Sequence, residues 1–279
     1  MQTALTSRYN RCTISTYLYI LKAEDKHKMT TSPTFFYEQP FLSVDTETTG
    51  IDPFEERIVT VSMVANYPEE DRKDVVKSWL INPGVDIPEG ATQIHGISNE
   101  MAQANGVSPQ EALPEVAKAL LKWEANALPL IIFNAQFDAT IFREEFARHG
   151  VAFDGTFRYT VDPYVLDKHY SYRKGKRTLE AMAPVYDVTL ENAHDATFDA
   201  IAAAHIVRAI GRKYQVNHTS DDLFTFQQNA KKKQSLSLQD YFRKTDPEKL
   251  IPTGWPYRTR KSDAADALRS PVQPALDVR

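Results

Sequence analysis

The sequence predicts an α/β fold, a mixed β-sheet flanked by helices, and three observations predict it. Short runs rich in Val and Ile are bunched early in the chain. Longer stretches with apolar residues at helical spacing follow, and one fully apolar run, Leu128 to Phe133, lies between two of them. The composition is 42% hydrophobic and 25% charged over 279 residues, which supplies a sizeable core without the bias of a fibrous, disordered or coiled-coil chain.

Taken in order, Phe41 to Asp45 reads as a strand ended by Thr48-Thr49-Gly50. Arg57 to Asn66 and Val75 to Ile81 read as the second and third strands, and Asn82-Pro83-Gly84 as a turn. Ser108 to Trp123 has helical periodicity through Ala112, Val116, Leu120 and Leu121. Leu128 to Phe133 is apolar throughout, as a strand covered on both faces should be. Phe137 to His149 reads as a helix that Gly150 stops, and Phe157 to Val161 as a fifth strand. Thr197 to Tyr214 is an Ala-rich helix with Phe198, Ile201, Ala202 and Ile206 on its apolar side. Three early strands followed by alternating helix and strand imply the mixed sheet.

The ends differ from this body. Residues 1–35 read as a poorly ordered extension, in which Met29 is a second possible start. Arg8 and Arg11 precede only a broken apolar stretch, without a clear cleavage pattern. Residues 36–215 form the expected main domain, 216–261 a helical or irregular appendage, and 262–279 an expected disordered tail. The longest apolar runs fall far short of the ~20 residues needed to cross a bilayer, so no membrane role is expected. Cys12 is the only cysteine, which excludes an intrachain disulfide and a zinc finger and fits a reducing, cytoplasmic setting. Residues 211–279 carry 13 Lys and Arg against 8 Asp and Glu, while residues 1–210 carry 20 against 29. A basic tail thus follows an acidic body, and nucleic acid would need cations to meet that body.

Three strings carry chemistry. In Asp45-Thr46-Glu47-Thr48-Thr49-Gly50 the two acids are spaced i, i+2 and share one face of a strand. Paired carboxylates repel unless a cation sits between them, and hard divalent ions take oxygen ligands. Asn134-Ala135-Gln136-Phe137-Asp138 follows the apolar strand, with Asn134 as a side-chain cap and Asp138 in the first helical turn. In His194-Asp195-Ala196-Thr197-Phe198-Asp199, Asp195 is a reasonable N-cap and Asp199 lies one turn in. Singly, each string has an ordinary structural explanation: solvated acids, a helix-dipole partner, a hydrogen-bonded histidine. Together, four carboxylates suit two divalent ions ~3.5–4 Å apart, and His194 is the candidate base beside them.

These strings resemble the three exonuclease motifs of the DnaQ-like, or DEDDh, 3′–5′ exonucleases, in the family's order. Ile94-His95-Gly96-Ile97 is similar to a further segment of that family. The resemblance covers about residues 40–215 and implies an RNase H-like fold with two Mg²⁺ or Mn²⁺ ions. Asp45, Glu47, Asp138 and Asp199 would be the metal ligands and His194 the general base. The reaction would release nucleoside 5′-monophosphates from a 3′ end. The main chain at Thr46, the side chains of Thr48 and Thr49, and Asn134 and His95 would approach the terminal nucleotide. The Thr-Thr-Gly ending and the Ile-His-Gly-Ile string look more like the proofreading epsilon subunit of bacterial DNA polymerase III than like RNA-trimming relatives. DNA is therefore the expected substrate, with RNA as the alternative. Ser235-x-x-Leu238-x-x-Tyr241-Phe242 faintly resembles a sliding-clamp peptide without its leading Gln, so a polymerase or clamp partner is a further expectation. The helical spacing of Leu238, Tyr241 and Phe242 equally fits a helix packed on the core. A non-catalytic docking module is the rival of a different class.

Overall fold

The computed structural model describes residues 35–69, 72–246 and 248–260. Residues 1–34, with Cys12 and Met29, and the tail 262–279 lie outside the described residues.

The described residues open with a single 3-10 turn, Phe36–Glu38, and then form three antiparallel strands: β1 (Phe41–Thr48), β2 (Ile58–Asn66) and β3 (Val75–Leu80). Helices α1 (Glu89–His95), α2 (Asn99–Asn105) and α3 (Pro109–Ala125) carry the chain back. β4 (Leu130–Ile131) then pairs in parallel with β1 on the side away from β2. Helix α4 (Asp138–Arg148) leads to β5 (Thr160–Val161), parallel to β4. Helices α5 (Pro163–Tyr170), α6 (Leu179–Met182), α7 (Ala196–Tyr214) and α8 (Ser220–Phe242) complete the fold. The strand order is β3-β2-β1-β4-β5.

This is the mixed, helix-flanked sheet that the sequence predicts. β1, β2 and β3 lie where the Val- and Ile-rich runs place them. α3 starts on a capping box, in which Ser108 and Glu111 each satisfy the other's backbone N–H. Gly150 does follow α4, at φ 64°, a left-handed conformation that suits glycine. The two parallel strands are shorter than expected, with two residues each in the ladder. Phe157, expected to open the fifth strand, is buried at φ 56°, and the chain turns there before β5.

Alternation along β1 sorts the two faces. Leu42 and Val44 join the core built with α3, α4 and Phe157, whereas Phe41 joins the core built with α5 and α7. Ser43, Asp45 and Glu47 share the α7 side by the same parity. The Ala-rich face of α7 is buried through Ala200, Ala202, Ala203 and Ala204, small side chains that let the helix approach the sheet closely.

Helix α8 forms as expected, but its packed face differs from the predicted one. Leu223, Gln227, Ala230, Ser235 and Gln239 are buried, while Leu238 and Tyr241 are exposed. The reason is the β5 edge: Gln227 accepts the Asp162 N–H at 2.7 Å and donates to the Thr160 carbonyl at 2.9 Å. A buried glutamine thereby satisfies an open strand edge that a leucine could not. Leu223 enters one core and Ala230 and Trp255 the other, so the C-terminal segment is packed into the same body as the sheet.

Candidate active site

β1 and β4 run in parallel beside each other, and the chain continues from them toward opposite edges of the sheet, to β2 and to β5. Such a switch point leaves a crevice at the carboxyl ends of the strands, where open α/β sheets place their ligands. Asp45 and Glu47 lie on the last turns of the β1 pleat, and Asp138 opens the helix that follows β4. A register shift between Glu47 and Thr48 against β2 bends the strand at this point.

Asp199 comes from α7, which is pinned by hydroxyl groups. Ser43 donates to the Ala200 carbonyl at 2.6 Å, and Ser62 meets Thr197 at 2.7 Å. Asp195 caps the helix by accepting the Thr197 N–H, as the sequence predicts. The result is that Asp45, Glu47 and Asp199 each offer an oxygen within 4.8 Å of the others. Asp138 lies beside this trio. It accepts the Thr46 hydroxyl at 2.8 Å, and its charge is felt by both Asp45 and Glu47.

The electrostatics are those of a site built for cations. Burial, reinforced by Asp138 and Glu47, raises Asp45 well above the usual carboxylate range. Burial and then Asp199 push Glu47 up to about 8. Burial raises Asp138 to about 7 and Asp199 to about 6. Oδ1 of Asp199 is buried without a hydrogen-bond partner, which a protein rarely tolerates unless a ligand supplies one. All-oxygen donors, mutual repulsion and an orphaned carboxylate oxygen fit a hard divalent ion.

These raised values set a pH dependence. The folded protein holds protons here that the unfolded chain releases near pH 4. Metal-free stability therefore falls as pH rises from about 4 through about 8. Bound cations remove that penalty, so the rise in Tm caused by Mn²⁺ should be larger at about pH 8 than at about pH 6. A rise that is equal at both, measured by differential scanning calorimetry, would contradict the assignment of these carboxylates.

The remaining predicted positions divide. His194 is exposed at the rim, in a left-handed conformation at φ 66°. Its N–H donates to Asp199 Oδ2 at 3.3 Å, and its Nε2 stands 3.4 Å from Glu180 Oε1. His95 lies against the Thr48 backbone, with its Nδ1 accepting the Ile97 N–H, and burial lowers its pKa. The threonine hydroxyls are engaged internally: Thr48 donates to the Gly50 carbonyl, and Thr49 to Glu56 Oε2 at 2.5 Å. A Cβ at Gly50 would lie 2.5 Å from Glu56 Oε1, so a side chain there would have to displace the Glu56 carboxylate that Thr49 holds. Asn134 does not cap α4 through its side chain. The helix begins at Asp138 without a side-chain cap, and Asn134 is in the left-handed region at φ 54°.

What holds the Asn134 loop is Asp162, which sequence reasoning missed. Its buried carboxylate accepts the N–H groups of Asn134 at 3.0 Å and Ala135 at 3.1 Å, and caps α5 at Tyr164. The indole of Trp255 donates to it at 3.3 Å. Asp162→Ala would strand buried donors, each costing about 1–3 kcal/mol, and would loosen the loop that sets Asp138. We expect a fall in Tm of several degrees and a lower kcat, both read on the purified variant. Glu180 was also missed, because nothing near it in sequence announces a partner on the 189–195 segment.

Fold and site together define an α/β domain with an acidic, cation-type centre at the switch point of its sheet. The family model for exonucleases matches residues 42–207, and the chain belongs to that family, the DnaQ-like exonucleases. It is 29% identical over 167 residues to a DNA polymerase III subunit epsilon-like protein of Rhodobacter capsulatus, covering 59% of this chain and 22% of that one. It is 26% identical over 212 residues to the DNA polymerase III subunit epsilon of Buchnera aphidicola, covering 71% and 84%. The chain thus spans about a fifth of the first relative and most of the second. E. coli exonuclease I, solved with a dA16 oligonucleotide, superposes with a TM-score of 0.52 at 18% identity, over 72% of this chain and 45% of that one. That likeness establishes the shared fold. Among the described residues no helix is long and apolar enough to cross a membrane.

Proposed function

We propose that this chain is a metal-dependent 3′–5′ exonuclease that hydrolyses the terminal phosphodiester of DNA and releases nucleoside 5′-monophosphates. The observation that carries the reading is the convergence of Asp45, Glu47 and Asp199 within 4.8 Å, with one buried oxygen left for a ligand. Family membership and the DNA polymerase III names of its relatives support DNA as the substrate.

Asp45, Glu47, Asp138 and Asp199 would hold two divalent ions, Mg²⁺ or Mn²⁺. When bound, such ions supply charge stabilisation for the attacking and leaving oxygens of an in-line displacement. The chain's own groups do the rest. Thr46 fixes the Asp138 carboxylate, and the serine contacts to α7 fix Asp199. His194 accepts a proton from the attacking water as its oxygen bonds to phosphorus. The bond from phosphorus to the O3′ of the penultimate nucleotide breaks, and that oxygen takes a proton from solvent. Glu180 Oε1 stands 3.4 Å from the imidazole Nε2 and helps to hold the ring in place. The exposure of His194 suits a group that meets a terminus and then returns its proton to water. The single cysteine supports a cytoplasmic setting for this activity.

A second reading is favoured by exposed Leu236, Leu238 and Tyr241 on α8, at 46%, 39% and 62% exposure. They leave a place for a polymerase or clamp to hold the chain. Matched DNA and RNA strands, offered side by side, test the substrate. Faster shortening of DNA supports the reading, and faster shortening of RNA replaces it with an exoribonuclease. A chain that cuts neither but binds a partner is the docking module.

A further inference from the structure

A pocket of about 530 Å³ lies between the sheet-bearing body and the C-terminal segment. Lys168 of α5, Lys231 of α8 and Arg258 line it, together with Arg260. Arg260 is already paired, with Glu144 at 3.0 Å and Glu55 at 3.8 Å. Lys168, Lys231 and Arg258 form no ion pair among the described residues. Burial lowers the pKa of all three, which is the cost of holding positive charge away from water. Two acids face them, Asp52 towards Arg258 and Asp162 towards Lys231, and neither is in ion-pair contact. The Lys231-Lys232-Lys233 run is thereby divided: Lys232 and Lys233 are exposed, and Lys231 is turned inward.

A second observation concerns hydrogen bonding. Gln234, also on the pocket wall, donates to the Val165 carbonyl at 3.1 Å, while its Oε1 is buried without a partner. An occupant that suits this wall has anionic oxygens for three cations and an N–H or O–H donor for the amide oxygen. A nucleotide unit combines the two, and pockets of this size take one. One part of the wall comes from the loops that bound the carboxylate centre, and the rest from α5, α8 and the C-terminal segment. Asp52 and Phe54 follow Gly50, and Gln136 lies between Asn134 and Asp138.

We propose that this pocket binds a nucleotide unit of the substrate strand on the 5′ side of the bond to be cut, through Lys168, Lys231 and Arg258. The inference rests on the nuclease reading of the centre. An exonuclease centre receives the 3′ terminus, so strand that reaches a neighbouring pocket lies 5′ of it. The C-terminal segment, beyond the residues of the family match, would then be a strand-holding element rather than a passive cover.

The test is fluorescence anisotropy with a labelled single-stranded oligothymidylate in EDTA, where no cutting occurs. Lys168→Gln and Arg258→Gln, singly and together, are compared with the wild-type chain. Each variant should weaken binding several-fold, and the slope of log affinity against log salt should fall by about 0.7 for each phosphate no longer neutralised. Lys168→Arg should restore affinity and slope. Unchanged affinity and slope in the double variant, or no wild-type binding, would overturn the proposal. Thermal melts of each variant separate weakened binding from a damaged fold. Titration with a free nucleoside 5′-monophosphate distinguishes the other source of the same chemistry. If the variants lose mononucleotide binding but keep strand affinity, the pocket is a mononucleotide site and the proposal fails. A parallel assay with Mn²⁺ keeps the two readings apart. Cutting by a wild-type chain whose variants bind normally defeats the pocket alone, and no cutting defeats the nuclease reading.

Discussion

Asp45→Asn should make the metal-free protein more stable and the enzyme inactive. Asp45 is half-buried among Asp138, Glu47 and Asp199, and each of these raises its pKa further after desolvation has done so. An amide of the same shape removes one negative charge from that cluster without opening a cavity. Because the folded-state pKa is raised, the penalty is absent well below pH 4 and grows as pH rises through the folded values. The gain should therefore be small at about pH 5 and reach about 1–3 kcal/mol at about pH 8. In a domain of this size that is a rise in Tm of about 2–4 °C per kcal/mol. The same variant should lose the further stabilisation by Mn²⁺ and essentially all turnover. A variant that melts lower than wild type in EDTA and still responds to Mn²⁺ would mean that Asp45 holds the fold rather than the ion.

His194→Ala should separate in the opposite way. The side chain is half exposed and, among the described residues, makes one ion-pair contact, with the exposed Glu180, so its removal should move Tm little. The N–H that His194 gives to Asp199 belongs to the backbone and survives the substitution. The Mn²⁺-dependent rise in Tm should persist. Loss of a general base costs typically 10²–10⁴-fold in rate, and kcat should fall by about that factor with a smaller change in KM. Raising pH should recover part of the loss, since hydroxide then substitutes for the missing base. Near-wild-type kcat would remove His194 from the mechanism.

The sequence discloses the features of fold and site that are written locally. β2 shows as an unbroken Val- and Ile-rich run because it is buried on both faces, and α7 as an Ala-rich helix because close approach to the sheet needs small side chains. Asp45, Glu47, Asp138, His194 and Asp199 are legible because their chemistry is carried by spacing within three short strings. The helices that escape reading are short: α1, α2, α5 and α6 have seven, seven, eight and four residues, and α1 buries no side chain, so it leaves no periodic trace. Asp162 escapes for another reason. Its partners are 27 and 28 residues before it and 93 after it, so no local pattern marks the acid as the post of the Asn134 loop. Ser43 is a modest polar residue in an apolar strand until its partner, 157 residues on, is seen. The Leu238 and Tyr241 spacing misleads because α8 is aligned by Gln227 on the β5 edge, a hydrogen-bonding demand that outweighs apolar periodicity.

The most direct measurement is incubation of the purified chain with 5′-labelled single-stranded DNA in Mn²⁺, with EDTA and Asp45→Asn as parallel lanes. The expected result is a ladder that shortens from the 3′ end with nucleoside 5′-monophosphates as products, absent in both controls. Intact DNA in Mn²⁺, or a ladder that persists in EDTA or in Asp45→Asn, would contradict it.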